Sequence, residues 1–199
     1  MPFDDERSRL KDILAKKSLL TDGDFTLASG VKSSEYVDGK LTTCFAPAMP
    51  LIGRVFLRKL RELGWHPQAV GGLTVGADPI AFAIARESVE MLPAINSFIV
   101  RKTPKEHGRH KFIEGIENPR GCKVVIIDDV CTKGGSTGQA IEKAQAAEMQ
   151  ILGIICLVDR EQGATEYLKE KFGYTLQHIF TLAELREHVR HSVPVAVEA

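Results

Sequence analysis

The sequence predicts an α/β fold, a mainly parallel central sheet flanked by helices, and three observations carry that reading. Short apolar strands alternate with helix-like stretches from about residue 48 onward. Those strands, "AVGGL", "SFIV", "KVVIID", "ILGIICLV" and "YTLQHIF", are apolar nearly throughout rather than at every second position, as strands covered on both faces are. At 199 residues, with 44% hydrophobic and 26% charged residues, the chain suits one domain with a sizeable core.

The elements follow in order. Leu10, Ile13, Leu14 and Ala15 form one apolar stripe, so a helix is expected from residue 5 to about 20. "FTLAS" (25–29) and "SEYVDG" (34–39) flank a turn-like "GVKS" and read as a small N-terminal hairpin. A helix near 48–64 precedes "AVGGL", and another from about 77 to 90 precedes "SFIV". The charged stretch "RKTPKEHGRHK" intervenes before "KVVIID" and a helix from 136. After "ILGIICLV" come a helix near 164–171, "YTLQHIF", and a last helix opened by Thr181 with Glu184 three residues on, the spacing of a capping box. Ligands of such sheets bind at the carboxyl ends of the strands, which points to the loops after Leu73, Val100, Ile127 and Val158.

Composition narrows the function classes. Lys+Arg and Asp+Glu balance at 26 each, so no global basic field argues for nucleic acid or an anionic membrane, and a small partner is expected. No apolar run approaches the roughly 20 residues of a membrane span, and "MPFDDERSRLKD" is charged where a signal peptide would be apolar, so a cytoplasmic location is expected. Cys44, Cys122, Cys131 and Cys156 form no Cys-x-x-Cys pair and read as reduced, structural thiols without a zinc site.

The chemistry concentrates in "VVIIDDVCTKGGSTGQAI", residues 124–141. Adjacent acids at the end of a buried strand raise the cost of ionising each other. Alone, Asp128 and Asp129 would read as a strand terminus that helps cap the next helix. Thr132, Gly134, Gly135, Ser136 and Thr137, however, put glycines and hydroxyls where that helix begins, so that backbone N–H groups converge on one anion with the helix dipole behind them. Neither the mononucleotide P-loop nor the dinucleotide Gly-x-Gly-x-x-Gly pattern is present. Carboxylates only accept hydrogen bonds and a ribose offers two vicinal hydroxyls, so paired acids before a phosphate cradle read as a ribose 5-phosphate site.

This segment resembles the phosphoribosyl-pyrophosphate motif of the type I phosphoribosyltransferases. "FTLASGVKSSEYVDGK", "VGGLTVGADPIAFAIA", "VRKTPKEHGRHKFIEG" and "LVDR" are similar, in order, to the substrate hairpin, pyrophosphate loop, mobile lid and late base contact of that family's orotate-using members. The resemblance implies a single type I phosphoribosyltransferase domain over 1–199, with a hood at about 1–45 and a lid loop at about 101–115. It implies transfer of ribose 5-phosphate from phosphoribosyl pyrophosphate to orotate, with Mg2+ carried by the substrate rather than held directly by the protein. Asp128 and Asp129 would hold the ribose hydroxyls, and Thr132 to Thr137 the 5-phosphate. Arg101, Lys102, Lys105 and His107 would bind pyrophosphate, with Lys105 foremost in the chemical step and His107 a candidate proton donor. Thr74, Val75 and Gly76 would form the pyrophosphate loop, and Thr132, Arg160, Tyr36 and Val37 the orotate pocket. The resemblance also implies a homodimer in which each lid reaches the neighbouring subunit's site.

Two departures stand out. Ala28 occupies a position where many members have lysine, and Leu73-Thr74-Val75-Gly76 replaces an aromatic-Lys-Gly loop. Arg109 stands where an acid is common, leaving the Lys-x-His of the lid intact. Two alternatives share the ribose-phosphate reading: transfer to another base, such as a purine, against which the hairpin and "LVDR" argue, and a non-catalytic phosphoribosyl-pyrophosphate sensor, which would carry an added DNA-binding domain and could dispense with the lid.

Overall fold

The computed structural model of the chain describes residues 2–21, 23–26, 32–90, 93–104 and 112–192. The predicted α/β class is what it shows. Helix α1 (Pro2–Lys17) is followed by four two-residue strands, β1 (Leu19–Leu20), β2 (Phe25–Thr26), β3 (Lys32–Ser33) and β4 (Tyr36–Val37), and by α2 (Lys40–Thr43). A short 3-10 turn leads into α3 (Met49–Glu62), β5 (Ala69–Leu73), α4 (Asp78–Glu87), β6 (Asn96–Val100) and β7 (Ile113–Glu114). The chain continues through β8 (Lys123–Cys131), α5 (Gly135–Ala146), β9 (Gln150–Asp159), α6 (Ala164–Phe172), β10 (Leu176–Thr181) and α7 (Leu182–Ser192).

The main sheet has the order β10-β9-β8-β5-β6-β7 and is parallel except for β7, a short antiparallel edge that the sequence reading did not anticipate. Alternate strand residues feed two cores. Val70, Val125, Ile127, Ile155 and Leu157 pack under α1, α3, α4 and α7 with Phe56, Ile80 and Leu185. Phe98, Val124, Ile126, Ile154 and Cys156 pack under α5 and α6 with Ile141 and Leu168. This two-sided burial is why the strands read as continuous apolar runs. From β5 the chain moves to β6 on one side and later to β8 on the other, so the order reverses beside β5, and a crevice opens there at the strand ends.

Three boundaries differ from expectation for physical reasons. Helix α1 ends at Lys17, short of residue 20, because Leu19 and Leu20 pair antiparallel with Val37 and Tyr36. Phe25–Thr26 pairs with Lys32–Ser33, so "FTLAS" and "SEYVDG" are not partners in one hairpin. The register is decided by burial: Val37 and Leu19 belong to the core, and Ser18 and Thr42 share a buried 2.7 Å hydroxyl hydrogen bond beside them. The third concerns the loops expected after Ile127 and Val158. Strand β8 runs on through both aspartates to Cys131 because β9 stays in register with it, Asp128 facing Cys156 and Cys131 facing Asp159.

The capping box at Thr181 forms as expected: the Thr181 N–H donates to Glu184 Oε2 at 2.9 Å and the Glu184 N–H to Thr181 Oγ1 at 3.1 Å. All four cysteines are free, Cys131 and Cys156 buried and Cys44 exposed. Among the described residues no helix is long and apolar enough to cross a membrane.

Candidate active site

Successive residues of a strand face opposite sides, and β8 uses this to separate its two acids. Asp128, 6% exposed, turns toward α5, where Thr137 Oγ1 donates to its Oδ2 at 2.5 Å and the Asp129 N–H donates to its Oδ1 at 3.0 Å. Asp129 turns the other way, toward α2 and the loop after β5. A methyl group on Gly76 would lie 2.4 Å from its Oδ1, and one on Gly39 would lie 3.0 Å from its Oδ2. The Val130 N–H holds Asp129 Oδ1 at 2.9 Å. Burial foremost, then the charge on Asp129, pushes the Asp128 carboxyl up to about 7, against the opposing pull of the Thr137 hydrogen bond.

Behind the acids, Gly134 adopts a left-handed conformation (φ 76°) at the start of α5, a turn that glycine makes without penalty. Having no side chain, it leaves the first-turn N–H groups of α5 uncapped, and Gly134, Gly135, Ser136 and Thr137 line a cavity of about 720 Å³. The same cavity is lined by Asp128, Asp129, Thr132 and Lys133, by Arg160 at the end of β9, and by Tyr36 and Val37 of β4. The acids, the cradle and the base-contact residues singled out in the sequence therefore converge.

Arg160 is 6% exposed, and its Nε has no hydrogen-bond partner among the described residues. Burial, the largest influence, and the nearby Arg186 lower its pKa, whereas Tyr36 and Glu35 raise it. A buried guanidinium with an unused donor beside an open cavity suits a planar carboxylate or imide.

Four lining residues were not singled out as site residues in the sequence, Val130 and Cys131 at the end of β8 and Phe25 and Lys40. Phe25 stacks on Tyr36 with ring centroids 5.7 Å apart, and Lys40 follows Gly39 into the cavity. Lys40 is held to Asp38 at 2.9 Å, and its pKa is raised by Asp38 first and by Asp129 among the rest. Phe25 could have been found from its place at the head of "FTLASG"; Lys40, the last residue of that hairpin segment, shows its place in the cavity only in the fold.

Of the residues expected at pyrophosphate, Thr74, Arg101 and Lys102 line an adjacent cleft of about 550 Å³ together with Ile99, Thr103 and Glu114. Thr74 donates to Asp78 Oδ2 at 2.5 Å, the Thr74–Val75 peptide is cis, and Gly76 abuts Asp129, so Asp129 stands between the two clefts. The Arg101 side chain folds back on Thr103 O (3.3 Å) and Glu114 (3.4 Å). Lys105, His107, Arg109 and Ala28 lie outside the described residues. Lys32 pairs with Asp24 at 3.1 Å on the exposed face of the hood strands.

Among the described residues no group of three or more His, Cys, Asp or Glu side chains forms a cation cage. Asp128 and Asp129 face opposite sides of β8 and do not converge on one cation, which fits a Mg2+ that arrives on substrate oxygens rather than in a protein cage.

Comparison with known proteins agrees with this geometry. Residues 46–185 match the family model "Phosphoribosyl transferase domain". The chain is 40% identical over 182 residues to an orotate phosphoribosyltransferase of Aquifex aeolicus, covering 90% of this chain and 97% of that one. Crystal structures of Mycobacterium tuberculosis H37Rv orotate phosphoribosyltransferase superpose on it. The complex with Fe(III) dicitrate has a TM-score of 0.79 at 34% identity, covering 90% of this chain and 98% of that one. The complex with 5-phospho-alpha-D-ribosyl 1-diphosphate has a TM-score of 0.74 at 31% identity, covering 91% and 99%. The match spans most of this chain and nearly the whole length of its relatives, and the chain belongs to the orotate phosphoribosyltransferase family.

Proposed function

We propose that the chain transfers the ribose 5-phosphate group of phosphoribosyl pyrophosphate to orotate, giving orotidine 5'-monophosphate and pyrophosphate in pyrimidine (UMP) synthesis. The observation that carries this reading is the single cavity in which the paired acids, the anion cradle and Arg160 with Tyr36 meet. The cradle of α5 takes the 5-phosphate, and Asp128 and Asp129 accept hydrogen bonds from the ribose hydroxyls. Arg160 takes the planar carboxylate of orotate, whose ring lies against Tyr36 and Val37.

The bond from the anomeric carbon to the pyrophosphate oxygen breaks with its electrons leaving on pyrophosphate, and an orotate ring nitrogen forms the new bond to that carbon while its N–H proton is given up to the departing pyrophosphate. Positive charge grows on the sugar between these events, and the two carboxylates beneath it favour that charge. Arg101, Lys102 and the N–H groups of Val75 and Gly76 take the departing pyrophosphate, the Thr74 N–H being donated to Val100 O, with Lys105 and His107 closing over it. Asp128 and Asp129 line the cavity into which the substrate would carry Mg2+, which would supply charge neutralisation for the leaving group.

The chain forms one domain, with its hood at about 1–45 and its lid at about 101–115, acts in the cytoplasm, and works as a homodimer with shared sites. Orotate absorbance followed with magnesium and phosphoribosyl pyrophosphate tests the reaction. The wild type should consume orotate, and Lys105→Ala should lose most of that rate. Tight phosphoribosyl-pyrophosphate binding without turnover would sink the assignment and redirect the assay to purines. Mixing Lys105→Ala with Asp128→Asn subunits tests the shared site, because hybrid dimers should regain one intact site and hence activity.

A further inference from the structure

We propose that Lys143 is a positioning residue for pyrophosphate, holding residues 101 and 102 in the turn that presents them to the leaving group. The inference rests on the reading above that Arg101 and Lys102 bind pyrophosphate. Lys143 lies half-buried on α5, on the helix whose first turn forms the phosphate cradle. Its Nζ donates to the carbonyl of Arg101 at 2.9 Å and to that of Lys102 at 3.0 Å, and it sits 4.7 Å from the centroid of the Phe112 ring.

An ammonium has three donors and is attracted to an aromatic face, so these contacts satisfy the group without a carboxylate. They also span both arms of the segment between β6 and β7. Arg101 and Lys102 belong to the outgoing arm and Phe112 to the returning one, and the Arg101 N–H donates to Phe112 O at 2.8 Å between them.

The geometry is selective. In an extended strand successive carbonyls point in opposite directions, so two neighbours can reach one cation only if the chain turns there. Lys143 therefore fixes where the backbone leaves β6, and with it the direction in which Arg101 and Lys102 extend. A lysine serving helix solubility would point its ammonium into solvent or at a carboxylate one turn away. This one instead ties α5 to the two residues lining the pyrophosphate cleft. One rigid helix thus carries the 5-phosphate cradle at its start and the anchor of the pyrophosphate segment two turns later, which sets the span between the two ends of a single substrate.

Calorimetric binding of magnesium pyrophosphate and of ribose 5-phosphate to wild type, Lys143→Met and Lys143→Arg tests this. Methionine keeps the stem without donors, and arginine restores donors and charge. The expected result for Lys143→Met is pyrophosphate affinity lowered about tenfold, as loss of charge-assisted hydrogen bonds would give, with ribose 5-phosphate affinity and melting temperature nearly unchanged. Lys143→Arg should recover most of the loss. Unchanged pyrophosphate affinity in folded Lys143→Met would overturn the proposal, as would equal losses for both ligands together with a lowered melting temperature. A wild type that binds pyrophosphate but does not consume orotate would defeat the transfer reading alone; one that binds no pyrophosphate would defeat both.

Discussion

Thr137 donates a 2.5 Å hydrogen bond from the first turn of α5 to Asp128 on β8, so the helix proposed to cradle the 5-phosphate also grips the buried acid. Neighbouring charge is only the second cause of the raised Asp128 pKa; burial comes first. The two aspartates can be adjacent in sequence because they face opposite sides of the strand, Asp128 toward α5 and Asp129 toward Gly76.

The first prediction concerns pH. With its carboxyl pushed up to about 7, Asp128 is mostly neutral in the free protein below that pH, whereas ribose hydroxyls need the ionised form as acceptor. The kcat/KM for phosphoribosyl pyrophosphate should rise about tenfold per pH unit up to about 7 and then level, and Thr137→Val should move this limb to higher pH. The stability sign is the reverse of that of a salt-bridged aspartate. The folded pKa lies above the ordinary 3.8, so the native state holds a proton that the unfolded chain has released between about pH 4 and 7. Stability from this group falls as pH rises through that window and stays low above it. Denaturant titrations of Asp128→Asn should show a gain at pH 8 that vanishes at pH 4.

Gly76→Ala is the second. The added methyl group would sit 2.4 Å from Asp129 Oδ1, an oxygen already held by the Val130 N–H, so the carboxylate must rotate away from the ribose position. Steady-state kinetics should show phosphoribosyl-pyrophosphate KM raised on the order of tenfold to a hundredfold with little change in melting temperature. Gly39→Ala, whose methyl group would stand 3.0 Å from Asp129 Oδ2, should be the milder of the two. Equal effects would show that loop geometry, not the approach to Asp129, matters.

These cases also show what was legible beforehand. The parallel sheet was readable because two-sided burial imposes continuous apolar runs, and the cradle because glycines and hydroxyls at a strand-to-helix turn have few other uses. A small antiparallel hairpin is present in the hood, but its strand pairing was misassigned because strands of two residues carry no periodicity, and the partner of Tyr36–Val37 was Leu19–Leu20, hidden at the end of a helical stripe. Lys40 and Lys143 were invisible for a different reason. Each is an ordinary charged residue in sequence and gains a role only when Gly39 meets Asp129 or α5 meets the end of β6.

A third prediction follows from Arg186, whose Nε donates to Glu35 Oε2 at 2.9 Å, tying α7 to the hood beside Tyr36. Glu35 also acts electrostatically on the buried Arg160. Removing Arg186 strengthens the pull of Glu35 on Arg160 and so sets it in competition with the orotate carboxylate. Arg186→Ala should raise orotate KM about threefold to tenfold while leaving phosphoribosyl-pyrophosphate KM unchanged, and adding Glu35→Gln should return part of the loss. A double variant no better than Arg186→Ala would mean that the pair only holds the hood in place.

The last prediction concerns the lysine that this chain lacks. Val75, 59% exposed between Thr74 and Gly76, stands where many relatives carry lysine, and it is the apolar tip of a loop that must receive a highly charged anion. Its exposure means that Val75→Lys should cost the fold little. A solvated charge near the pyrophosphate is worth up to about 1 kcal/mol, so phosphoribosyl-pyrophosphate KM should fall about twofold to fivefold at low salt. Screening shortens the reach of such a charge to about 8 Å at physiological ionic strength and about 3 Å at 1 M, so the gain should shrink with added salt while orotate KM stays constant. An unchanged KM at low salt would mean that the loop's backbone N–H groups and the cations of the segment after β6 already saturate the leaving group, and that the valine is a substitution this site tolerates without consequence.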